Sequence, residues 1–153
     1  RELVRIPVLG PGETSMLVAA MLGHSFSIVT PLDSVVRPLK RLARVVGIDS
    51  KLASVRILGR GVSIAEVRSN KDRVMSLAVE ACRRCVEEDD ADVIVMGCGS
   101  LSFYADELSA EVGVPVINPL LTALRAAEML VGAGLTHSRR AYPVPPKIAG
   151  YPA

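Results

Sequence analysis

The chain has 153 residues and a mass of 16.2 kDa; half of the residues are hydrophobic, mean hydropathy is +0.37, aromatics reach only 3% and there is no Trp. That composition supports one aliphatic core and excludes an intrinsically disordered chain. Eighteen basic and sixteen acidic residues leave a net charge of +2, no basic cluster exceeds a pair, and no apolar run reaches the ~18 residues of a membrane span, so neither a nucleic acid nor a membrane is expected as partner.

The elements follow one another in alternation. Arg5–Leu9 is a short apolar run expected as a strand, ending at Gly10-Pro11-Gly12. Thr14–Leu22 is predicted as a helix stopped by Gly23, and Ser25–Thr30 as a β-branched strand closed by Pro31. Asp33 or Ser34 is expected to cap a helix that runs to Val46, with Gly47 as its stop. Ser54–Leu58 is a third strand, and 59–69 a connection with some structure of its own. Asn70 caps a long helix carrying Val74, Leu77, Ala78, Ala81, Cys82 and Cys85 at helical spacing. Asp92–Gly97 is the clearest strand, its continuous apolar run suiting a strand buried on both faces. A helix over Tyr104–Val112, a run over Val114–Ile117 and a helix from Pro119 or Leu120 to Val131 follow. The Pro-rich tail, Thr136–Ala153, is expected to be extended.

This alternation predicts an α/β fold, a mainly parallel sheet between two helix layers in the flavodoxin-like manner. Ligand sites in such sheets lie at the carboxyl ends of the strands. Two segments also match at a constant offset of 108: Pro7/Pro115, Val8/Val116, Pro11/Pro119, Thr14/Thr122, Ala19/Ala127, Met21/Met129 and Leu22/Leu130. Such a repeat predicts two related α/β halves and a site of pseudo-twofold symmetry between them.

Three cysteines are an odd count in an ordinary composition, which points to reduced thiols and a cytoplasmic protein rather than a disulfide framework. Cys98, in Gly97-Cys98-Gly99-Ser100, follows the most buried strand and precedes a helix. Flanking glycines let the backbone approach a ligand, and a helix N-terminus offers free N–H groups and favours a thiolate. Ser100 is expected to cap that helix and to donate a hydrogen bond. Cys82 and Cys85 form a C-x-x-C inside a helix, on or near its apolar face, and read as core thiols. With two His and no second Cys pair, no metal site is expected. Gly10-Pro11-Gly12-Glu13 departs from a dinucleotide fingerprint at Ser15 and reads instead as a turn that presents Glu13 and Thr14 to the cleft. Thr30, at a strand end, is a candidate ligand of a carboxylate. His137 is a candidate to reach the site, whereas His24 reads as a surface residue after a helix stop. No G-x-S-x-G elbow, P-loop or H-E-x-x-H occurs.

The stretch Ala91–Ser100, followed by Gly113–Pro119, resembles the aspartate/glutamate/hydantoin racemase superfamily. Leu22–Thr30 and Gly134–Arg140 are similar to its hydantoin racemase branch. The sequence departs from that branch at Ser100-Leu101, where Gly and Met are frequent, and at Asn118, where Asp is common.

The resemblance implies a pseudo-symmetric fold of two α/β domains around a cleft, each supplying one cysteine, with no cofactor and a small-molecule substrate. One thiolate removes the Cα proton of an amino acid or hydantoin-like derivative, and the other thiol returns a proton on the opposite face. Cys98 matches the second cysteine; Thr30, Gly97, Gly99 and Ser100 match positions that would hold the substrate, with Asn118 a further candidate. On the offset of 108 the partner cysteine falls about ten residues upstream of Arg1. The chain is therefore expected to be the downstream part of a longer protein: 1–24 a remnant of the first domain, 25–118 the second, and 119–153 a helix and tail returning to the first. Exposed apolar helix faces are compatible with a homo-oligomer. The competing readings are a decarboxylase or cis–trans isomerase of the same superfamily, or a non-catalytic α/β module that binds a small molecule.

Overall fold

The computed structural model describes residues 1–59 and 61–146. Four strands, β1 (Phe26–Thr30), β2 (Leu52–Ile57), β3 (Val93–Met96) and β4 (Val116–Ile117), form one sheet in the order β2-β1-β3-β4, and every pairing is parallel. The α-helices are α1 (Pro11–Leu22), α2 (Val36–Val46), α3 (Ile64–Ser69), α4 (Lys71–Glu87), α5 (Ala105–Val112) and α6 (Pro119–Gly132).

Successive strand residues face opposite sides of a sheet. Phe26, Ile28, Val93, Val95 and Ile117 accordingly pack with Met16 and Ala19 of α1 and Ala43 of α2. Val29, Ile94 and Met96 pack on the other side with Val74, Ala78, Ala81, Cys82 and Cys85 of α4 and with Ala105 and Leu108 of α5. The result is the expected three-layer sandwich. Both central strands are buried along their whole length, which is why β1 and β3 read as unbroken apolar or β-branched runs.

Local signals set several boundaries. Gly47 ends α2 in the left-handed region at φ 80°, and its N–H closes on the Ala43 and Arg44 carbonyls. Asn70 caps α4 as expected, its side chain accepting from the Arg73 N–H at 3.3 Å. The 59–69 connection contains α3, capped by Ser63, which accepts from the Glu66 N–H at 3.1 Å. The cap expected at Asp33 or Ser34 is not made: a 3-10 turn over Asp33–Val35 runs straight into α2, and neither side chain bonds to its first turn.

Arg5–Leu9 is not a strand. Its backbone is held by the C-terminal segment instead: Thr136 donates to the Arg5 carbonyl at 2.7 Å, the Val8 N–H donates to His137 Nε2 at 2.8 Å, and Arg139 reaches the Glu2 carbonyl at 2.9 Å. Strand conformation needs a neighbouring backbone to bond with, and here side chains take that place. β4 is likewise shorter than the expected run: Val116 and Ile117 pair in register with Ile94 and Val95 of β3, and Pro115 contributes its carbonyl to the Ile94 N–H at 2.9 Å but has no N–H to donate. The tail over 136–146 has no strand, and 147–153 lie outside the described residues.

Candidate functional site

In a sheet ordered 2-1-3-4 the chain reverses its winding between β1 and β3, and the carboxyl ends of those strands open a crevice. Gly97 and Cys98 lie at that point. The Gly97 N–H donates to the Val29 carbonyl at 2.7 Å, carrying the β1–β3 ladder one residue past β3. No side chain fits at Gly97. A Cβ there would stand 2.9 Å from Ile28 Cγ2, 3.0 Å from Thr30 Cβ and 3.2 Å from Leu39 Cδ1. The glycine lets the chain turn over the end of β1 and leaves Cys98 half-buried beside a cleft of about 130 Å³.

The cleft is lined by Cys98, Gly97 and Gly99 on one side, by Pro11, Gly12, Ser15 and Met16 of α1 on another, and by Pro119 and Leu120 of α6 on a third. Pro11 and Pro119 are a pair in the repeat of offset 108, so the two matching helix starts flank the same thiol, and α1 and α6 pack against each other.

The Cys98 loop is a tight turn. The Cys98 carbonyl accepts from the Leu101 N–H at 3.1 Å, from the Ser102 N–H at 3.2 Å and from the Ser102 hydroxyl at 3.1 Å. Among the described residues, the N–H groups of Cys98, Gly99 and Ser100 meet no protein acceptor. Backbone N–H groups without an intramolecular partner are donors available to an anionic oxygen.

Several expectations for this site change. Ser100 is partly exposed and caps nothing; Ser102 makes the turn's side-chain bond in its place. α5 begins only at Ala105, after the turn and a 3-10 segment over Ser102–Tyr104, so Cys98 is not at the start of that helix. Thr30 lies at the end of β1 as read, but it is fully buried behind Gly97 and is not on the cleft wall. Its Oγ1 has no partner among the described residues.

Asn118 is next to the cleft with both the oxygen and the nitrogen of its amide bonded. Its oxygen accepts from the Leu120 and Leu121 N–H groups, each at 3.1 Å, and its Nδ2 donates to the Ser102 carbonyl at 3.1 Å.

Glu13 and His137 are not on the cleft. Glu13 pairs with Arg1, which also donates to the Tyr142 hydroxyl at 3.0 Å, and the Tyr142 and His137 rings meet edge to face at 5.3 Å. These residues tie the two ends of the described chain together.

The other two thiols behave as core. Cys82 and Cys85 are fully buried on α4, and burial pushes Cys82 up to about 12 and raises Cys85 as well. Neither supplies a thiolate near neutral pH. Sequence reasoning missed Ser15, Met16, Leu39, Leu120 and Ser102, all of which read as ordinary helix or turn residues. The i, i+4 spacing of Pro11 with Ser15 and of Gly12 with Met16 along α1 was the available signal.

Comparison with known proteins gives the family. The family model of the Asp/Glu/Hydantoin racemases matches residues 1–127. The hydantoin racemase of Paenarthrobacter aurescens is 34% identical over 139 residues, covering 91% of this chain and 58% of that protein. The crystal structure of the allantoin racemase from Pseudomonas fluorescens superposes with a TM-score of 0.89 at 32% identity, over 95% of this chain and 61% of that one. Arylmalonate decarboxylase superposes less closely, with a TM-score of 0.57 at 27% identity, over 80% of this chain and 54% of that one. The chain thus spans about three fifths of the length of the racemases it matches. By the extent of the family match, the chain belongs to the Asp/Glu/Hydantoin racemase family.

Proposed function

We propose that this chain carries part of the active site of a racemase acting on a hydantoin-type cyclic ureide, with Cys98 as one of two acid/base groups. The observation that carries this reading is the half-buried Cys98 in a cleft at the β1–β3 switch point, beside three N–H groups without a protein acceptor.

The chemistry follows from those parts. A Cys98 thiolate takes the proton from the chiral carbon next to a ring carbonyl. The electron pair moves onto the carbonyl oxygen, and the free N–H groups at Cys98–Ser100 stabilise that developing charge. A second acid then delivers a proton to the opposite face. Cys82 and Cys85 are sealed in the core and are not candidates for that acid. The apolar walls of Met16, Ile28, Leu39 and Leu120 suit a small uncharged ring.

The test is solvent deuterium exchange at the chiral carbon of a 5-substituted hydantoin or of allantoin, followed by NMR on the full-length enzyme. Exchange with loss of optical rotation, abolished in Cys98→Ser, is expected. Carbon dioxide release from a malonate-type substrate without exchange would move the assignment to decarboxylation. Full activity after iodoacetamide has alkylated Cys98 would remove Cys98 from the mechanism.

A further inference from the structure

We propose that Asn118 and Ser102 form a positioning tie that fixes the Cys98 turn against the start of α6 and so sets the shape of the cleft. The tie is a continuous chain of bonds. Ser102 holds the Cys98 carbonyl through both its N–H and its hydroxyl. The Ser102 carbonyl in turn receives the Asn118 Nδ2 at 3.1 Å, across a sequence gap of sixteen residues. The Asn118 oxygen accepts from Leu120 and Leu121, and Leu120 is itself a wall of the cleft. One amide therefore joins the loop that bears the thiol to the helix that faces it. Asn118 lies beyond β4, a strand of only two residues, so the pairing of β4 does little to fix this junction. Ser102 is almost fully buried and Asn118 partly so, which shields the bond from competing water.

The tie requires an amide at position 118. A helix cap needs only an acceptor, which Asp or Ser also provides. Holding the Ser102 carbonyl needs a donor on the same side chain, and among capping residues of this length Asn alone offers both. Asn118→Asp keeps the cap but sets a carboxylate against a carbonyl. Asn118→Ser keeps the cap and falls short of Ser102 without adding charge. The catalytic meaning of the tie rests on the proposed role of Cys98; the tie itself is tested without turnover.

The probe is iodoacetamide, with modification of each cysteine followed by peptide mass mapping. Cys82 and Cys85 report whether the core stays closed. Releasing one shielded hydrogen bond of about 1 kcal/mol loosens the turn, so Cys98 is expected to react three- to tenfold faster in both Asn118→Asp and Asn118→Ser, with Cys82 and Cys85 still protected. Ser102→Ala, which removes one of the three bonds to the Cys98 carbonyl, is expected to move in the same direction by less. In the full-length enzyme the same variants lower kcat more than they change KM. A residue that only caps α6 would lower Tm and leave the Cys98 rate alone. A Cys98 rate in Asn118→Ser equal to wild type, or a change confined to Asn118→Asp and hence due to charge, overturns the proposal. If both Asn118 variants expose Cys82 and Cys85, Ser102→Ala decides: an unchanged Cys98 rate in that folded variant overturns the tie.

Discussion

Replacing Gly97 by alanine tests whether the chain's path over β1 is dictated by space. Its backbone lies outside the left-handed region, so alanine faces no conformational strain. It would even gain about 0.4–1 kcal/mol by restricting the unfolded chain. Against this stand three contacts. Leu39 Cδ1, at 3.2 Å, is the end of a flexible side chain and can move. Ile28 Cγ2 at 2.9 Å and Thr30 Cβ at 3.0 Å belong to β-branched residues on a fully buried central strand and cannot. Overpacking of this kind costs about 1–3 kcal/mol, so the balance is a net loss of about 1–2 kcal/mol. Urea unfolding followed by circular dichroism should show a midpoint lowered by about 0.5–1 M, given a slope of about 2 kcal/mol per molar for a domain of this size. Gly99→Ala is the control. A Cβ there would meet only Leu120 Cδ1 at 3.5 Å, an ordinary contact, so the unfolded-chain term stands alone and stability should rise by about 0.4–1 kcal/mol. A Gly97→Ala protein as stable as wild type, or more so, would refute the argument that close approach at this residue places Cys98.

Three further outcomes follow from the rest of the molecule. At pH 8 iodoacetamide should modify Cys98 while Cys82 and Cys85 stay protected until the protein is denatured, because burial has pushed Cys82 up to about 12 and also raised Cys85; mass spectrometry of the peptides reads this directly. Asp89 accepts from Arg56 and from the Ser54 hydroxyl, and the Arg56 guanidinium holds its carboxyl below the usual range. A carboxylate with a depressed folded-state pKa stabilises above its unfolded value, near ~3.9, and loses that contribution as pH falls through the folded value. Asp89→Asn should therefore lower stability at pH 7 and flatten the acid limb below about pH 4 in thermal melts at stepped pH. Asn70→Ala removes the cap of the longest helix and should cost about 1 kcal/mol, whereas Asn70→Ser should restore most of it.

What could be read from the sequence, and what could not, divides along a physical line. β1, β3 and α4 are visible because burial imposes a pattern on consecutive residues: Phe26–Thr30 and Val93–Met96 as runs, Val74 to Cys85 as a helical stripe. Cys98 is visible for a related reason, since a reactive side chain between glycines just past a buried strand has few purely structural uses. Glu13, His137 and Thr30 stand away from the Cys98 cleft because their partners are distant in sequence or packing covers them. Arg1 claims Glu13, Val8 claims His137 across 129 residues, and Gly97 covers Thr30. Ser102 went unread because its bond to the Cys98 carbonyl exists only once the turn has formed. Local chemistry is written in the sequence, but the assignment of one polar side chain to another depends on tertiary approach.

The repeat of offset 108 gains a meaning that neither half has alone. α1 and α6 both start on a proline, and both starts border the Cys98 cleft, yet they present different groups to it. At α6 the Asn118 oxygen occupies the Leu120 and Leu121 N–H groups. At α1 the cap position is Gly10, which has no side chain to offer, and no side chain caps the first turn. The first turn of α1 therefore keeps uncapped N–H groups, with the Glu13 carboxylate, itself paired with Arg1, in the same turn, while the Leu120 and Leu121 N–H groups of α6 are occupied by their own cap. In the proposed mechanism, an enolate oxygen beside Cys98 would find uncapped N–H groups at the α1 start and in the Cys98–Ser100 turn, and occupied ones at α6. Two helix starts that match in sequence thus differ in the donors they leave open beside this thiol. That asymmetry makes Gly10 the informative position on α1: Gly10→Asn would install there the cap that Asn118 provides on α6. If the α1 dipole contributes to charge stabilisation, this substitution should slow deuterium exchange in the full-length enzyme while raising Tm. If exchange were unchanged while Tm rose, the stabilising donors would be those of the Cys98–Ser100 turn alone.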